Sequence, residues 1–154
     1  MKLMYKLGAA FLTVIIVLAA IALIGCGEKE TPEQKVERLR YNHEIYPVAA
    51  KTMYDAEGLP TLLVDLQVAN QGTEALNKLT VLVRVLDPTG AEKDVSRVTL
   101  DMSGVQPGVG ARVSATLPGV ELLDEDQVTV ELETNLPPEI LRELPEYAEV
   151  AGVS

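Results

Sequence analysis

From about Ile45 to Leu132 the apolar side chains recur at every second position, the period of strands with one buried face. In TLLVDLQVAN, Leu62, Val64, Leu66 and Val68 share one face, and Asp65 and Gln67 take the other. KLTVLVRVLD sets Leu79, Val81, Val83 and Val85 against Thr80, Leu82, Arg84 and Leu86. Apolar residues on both faces predict a central strand with one polar exit at Arg84. VGARVSATL turns Val109, Ala111, Val113, Ala115 and Leu117 inward, and QVTVELET does the same with Val128, Val130 and Leu132. Two less regular stretches, Ile45 to Met53 and Val95 to Met102, bring the set to about six or seven strands, and Pro47 confines the first of them to a sheet edge.

Between these stretches lie turn sequences: DAEGLP from Asp55, NQGTEALN from Asn70, DPTG from Asp87 and QPGVG from Gln106. DPTG places Pro88 at the second position of a type I turn and Gly90 at the fourth. Short, evenly spaced strands with no helix between them predict a mainly β chain: an immunoglobulin-like antiparallel β-sandwich. Upstream the period is helical. Thr31 caps a helix over about 32 to 41, Pro32 suits its first turn, and Gln34 stands at the capping-box position. Val36, Leu39 and either Arg40 or Tyr41 form its thin inner stripe. Downstream, Pro137 and Pro138 introduce a short helix through Leu144 and then an acidic tail, in which Ile140, Leu141 and Leu144 either pack on the sandwich or dock into a partner. Four segments follow: 1–25, a signal or anchor helix; 26–42, connector and short helix; 43–136, the sandwich; and 137–154, the tail, expected to be dispensable for folding.

The first segment has Lys2 and Lys6, then an uncharged run from Leu7 to Gly25, and directly after it Cys26, the only cysteine. A lone cysteine excludes an intrachain disulfide. Leu23, Ile24 and Gly25 before Cys26 resemble the bacterial lipobox. The resemblance implies acylation of the Cys26 thiol, cleavage between Gly25 and Cys26, and a domain held by lipid at the cell membrane or outer membrane, facing the periplasm or the exterior. The run is also long enough to span a bilayer uncleaved, at about 20 residues for a 30 Å core.

Residues 1–25 carry two basic and no acidic side chains, so the remainder keeps 11 basic and 23 acidic ones, net −12. Such a surface repels nucleic acid and anionic headgroups, which leaves the anchor as the route to the membrane. The segment from Val64 to Val113 resembles the bacterial FxLYD domain family. The residues in question are Asn70, Gly72, Val83-Arg84-Val85-Leu86-Asp87, Gly90 and Pro107-Gly108, with Val83 where the family has Phe and Leu86 where it has Tyr. The likeness implies an envelope accessory role with no catalytic residues to transfer.

Candidate chemistry is sparse. His43 is the sole histidine, placed at the end of the short helix or on the surface, and no GxSxG, HExxH or P-loop pattern accompanies it. No cofactor motif is present, and an enzyme is not expected. After residue 25 there is no Phe or Trp to form a sugar platform. Asp124 and Asp126, in the acidic turn Asp124-Glu125-Asp126, are the candidate oxygens for a Ca²⁺ ion, but their spacing lacks the EF-hand pattern, so a solvated turn is expected. Tyr41, Tyr46 and Tyr54 are expected to pack the helix and first strand onto the sheet, with hydroxyls reaching water. The function expected is a lipid-anchored, non-catalytic sandwich that contacts another envelope protein through the strand near Pro47 or the tail after Pro137. The alternatives are a small-molecule or Ca²⁺-binding lipoprotein and an uncleaved single-pass anchor.

Overall fold

A computed structural model describes residues 29–153. The apolar run and the lipobox with Gly25 and Cys26 lie outside the described residues. Helix α1 (Pro32–Tyr41) is followed by six strands: β1 (His43–Tyr54), β2 (Pro60–Asn70), β3 (Lys78–Leu86), β4 (Glu92–Asp101), β5 (Gly110–Pro118) and β6 (Gln127–Glu131). Two short helices, α2 (Pro138–Glu143) and α3 (Pro145–Ala151), complete the chain. The strands form two three-stranded antiparallel sheets, ordered β1-β2-β5 and β4-β3-β6.

Period two explains the layering. Leu62, Val64, Leu66 and Val68 of β2 and Leu79, Val81, Val83 and Val85 of β3, all fully buried, belong to one core with Leu100, Ala115 and Leu117. Alternating apolar faces from two sheets in one core are compatible with a β-sandwich. β3 is central in its sheet and buried on both faces, as its sequence predicts. Arg84 leaves its outer face to pair with Glu92 and with Glu131 at 2.7 Å.

The turns close as their residues require. Asp87 Oδ1 accepts from the Thr89 and Ala91 amides at 2.8 and 2.9 Å, and Gly90 adopts φ 86°, which an L side chain resists. Asn70 ties two loops together, taking the Gly72 amide at 2.9 Å and accepting from Gly108 N at 2.8 Å. A Cβ on Gly72 would sit 2.6 Å from Asn42 Nδ2, so the residue there must be small. Several of the residues that carry the resemblance to the FxLYD pattern are thus turn-holders.

Three expectations are corrected. Val109 precedes β5 and is exposed, because the turn through Gly108, at φ 73°, ends the inward alternation one residue later. Tyr41, Tyr46 and Tyr54 are 76%, 54% and 59% exposed and do not pack the helix onto the sheet. Tyr46 is on the uncovered face of an outermost strand, and Tyr54 at its end reaches Glu121. Finally, the segment after Pro137 is not a tail: α2 and α3 bring Leu141 and Leu144 against Val36 of α1, and Glu146 is fully buried.

Candidate functional site

The sequence-selected residues do not converge. Asp124 is exposed, whereas Asp126 receives the Leu123 amide at 2.9 Å and the Lys93 ammonium, which chiefly hold its carboxyl below the usual range. A carboxylate occupied by a lysine and a turn amide is a poor cation ligand. Among the described residues no three His, Cys, Asp or Glu side chains are grouped to hold a metal ion.

His43 does stand at the helix end, as the first residue of β1, but it is buried, at 6% exposure, and not on the surface. Its Nδ1 lies 2.8 Å from the Leu39 carbonyl, so that nitrogen carries the proton and donates. Nε2 is buried without a partner. Burial is the largest influence and pushes the imidazole below its ordinary 6.5, with the Arg40 charge adding to it and main-chain hydrogen bonds opposing. Neither ring nitrogen meets a hydroxyl or thiol, which a nucleophile–base pair would require.

Two features stand out instead. The first joins α1 to the C-terminal helices. Arg40 (2% exposed) and Glu146 (0%) pair in the interior. Arg40 also donates to the Thr80 carbonyl at 3.1 Å and the Glu133 carbonyl at 3.0 Å, while Glu146 accepts from Thr80 N at 3.0 Å and Thr80 Oγ1 at 2.8 Å. Around it, Glu33 takes Arg142 at 2.7 Å, and Glu37 takes the Asn135 amide at 2.9 Å. The sequence shows only half of this: Arg40 falls on the inner stripe of α1, but nothing local separates Glu146 from Glu139, Glu143 and Glu149.

The second feature is the flank where β1 and β6 lie side by side, each outermost in its sheet. The register of β1 on β2 slips between Pro47 and Ala49, leaving Val48 unpaired. Pro47, Val48, Ala50, Leu122 and Val128 line a groove of about 240 Å³ there, and Thr52 Oγ1 fastens the Leu122 amide at 2.8 Å. A larger hollow of about 480 Å³ between α3 and the start of β3 is lined in part by Asn77 and Glu149, which bond each other at 2.8 Å. Apolar lining without convergent polar or titratable groups suits contact better than chemistry.

No helix among the described residues is long and apolar enough to cross a membrane. Comparison with family models, with curated proteins and with solved structures finds no match in any of the three.

Proposed function

We propose that this chain is a lipid-anchored, non-catalytic protein of a bacterial envelope, whose domain is an immunoglobulin-like sandwich that makes protein–protein contacts at the membrane surface. The observation that carries the reading is Cys26, the only thiol, placed directly after Leu23-Ile24-Gly25 and an uncharged run of nineteen residues from Leu7 to Gly25. A thiolate accepts acyl groups, and each buried methylene contributes about 0.8 kcal/mol to membrane attachment, so two or more chains hold a protein stably. Four residues separate Cys26 from Thr31, the cap of α1, so the anchor would keep the domain close to the bilayer. The strand order supports the immunoglobulin-like reading: β1, β2 and β5 correspond to strands A, B and E, facing β4, β3 and β6 as C′, C and F. A contact role is favoured by an apolar groove flanked by exposed side chains and by the isolation of His43 from any nucleophile.

The test is metabolic labelling with a clickable palmitate analogue in cells that process bacterial lipoproteins, followed by intact mass measurement. The expected product begins at an acylated Cys26, and Cys26→Ala loses both label and membrane retention. An unlabelled, full-length chain that stays in the membrane with Ala at 26 would replace this reading with the uncleaved anchor.

A further inference from the structure

We propose that the flank between β1 and β6 receives an extended, cationic segment of a partner protein, which adds a strand beside β6 and lays apolar side chains into the groove at Val48; this rests on the contact function proposed above. The two flanks of the sandwich are not equivalent. On the β4/β5 side the core is closed by Leu100, Ala115 and Leu117, each nearly or fully buried. On the β1/β6 side no apolar residue of either strand reaches full burial: Ile45, Ala50, Val128 and Val130 touch the core but stay half-covered. A strand laid beside β6 would extend its sheet to four and complete that burial.

The choice of β6 over β1 follows from their edges. β1 is blunted by Pro47 and by the bulge at Val48, devices that discourage strand addition. β6 pairs with β3 without a register shift from Gln127 to Glu131 and pairs with nothing on its other side among the described residues. Exposed apolar side chains concentrate on this flank, with Tyr46, Val48, Met53 and Tyr54 on β1 and Leu123 beside the groove, against Val95 and Val109 on the other side.

Charge complementarity decides the occupant. Glu121, Asp124 and Glu125 lie in the chain stretch that supplies Leu122 and Asp126 to the groove, and its nearest lysine, Lys93, is held by Asp126. Within a chain whose segment after residue 25 carries net −12, a second copy or an anionic polymer meets like charge, whereas a Lys- or Arg-bearing strand is attracted.

The test places a photoreactive amino acid in the full-length chain in its native membranes, at Val48 or Leu123 on the flank and at Val95 or Val109 on the other side. All four are comparably exposed, so the fold tolerates the probe. Adducts from Val48 and Leu123 to one extended segment of net positive charge, reduced about tenfold between ~0.05 and ~0.5 M salt, are expected. Val48→Asp should abolish the Leu123 adduct while leaving the melting temperature unchanged. Adducts only from Val95 and Val109 overturn the flank but leave the contact function standing; adducts from none of the four overturn both. Capture of an acidic segment, of lipid, of a second copy or of residues 1–28 of the same chain overturns the cationic partner.

Discussion

Replacing Glu146 by Leu should be among the most damaging single changes in the domain, and replacing Arg40 along with it should undo most of the damage. Glu146 is completely buried, and its carboxylate meets three donors: Arg40, the Thr80 amide at 3.0 Å and the Thr80 hydroxyl at 2.8 Å. With Leu there, Arg40 stays in the interior with only the Thr80 and Glu133 carbonyls as partners, and the Thr80 amide loses its acceptor. Stranding one charge of a buried pair costs about 3–5 kcal/mol. That is a large share of the roughly 5–15 kcal/mol that holds a domain folded.

In Arg40→Met with Glu146→Leu no charge remains buried, and two flexible apolar side chains occupy similar volume. The unsatisfied Thr80 amide is then the main residual cost, about 1–3 kcal/mol. Urea unfolding of the full-length chain in detergent, read by far-ultraviolet circular dichroism, would supply the four corners of a double-mutant cycle. The expected coupling is at least 2 kcal/mol. A single Glu146→Leu variant within 1 kcal/mol of the parent would refute the reasoning, as would a double variant whose loss equals the sum of the two singles.

What the sequence made legible was whatever is settled by near neighbours. The capping box is a contact between Thr31 and Gln34, and both of its hydrogen bonds form, at 3.0 and 3.3 Å. The DPTG turn is closed by Asp87 within four residues, and the alternation in β2 and β3 survives because both strands are central. Legibility fails where a partner is distant or missing. Glu146 is buried because Arg40 stands 106 positions away, a contact that leaves no trace in PEYAEVA. Tyr46 and Tyr54 carry enough apolar surface to suggest packing, but they lie on an outermost strand with no layer over its outer face. The candidate groove was half legible: Pro47 marks an edge, while the bulge at Val48 and the approach of β6 follow only from tertiary pairing.

Stability should also depend on pH through His43. Between its depressed folded value and 6.5 the unfolded chain binds a proton that the folded chain resists, so the contribution is complete above about 6.5 and is lost as pH falls through the folded value. Melting temperatures measured from pH 7.5 to 5 should fall for the parent and stay nearly flat for His43→Gln; equal slopes would reject this assignment. Thr31→Ala removes the acceptor of the Gln34 amide and should cost about 0.5–2 kcal/mol, measured by the same urea titration, whereas Thr31→Ser should cost far less. Removal of residues 137–154 tests the largest correction. That segment supplies Leu141 and Leu144, which close a small core over Val36, and Glu146, which neutralises Arg40. Truncation would leave Val36 and a buried guanidinium without their partners, so α1 should detach or the whole domain unfold. The measurement is proteolysis after Arg38 or Arg40 in the truncated full-anchor chain. Rapid cleavage there is expected, and the resistance of the intact protein persisting after truncation would mean that the sheets alone hold α1.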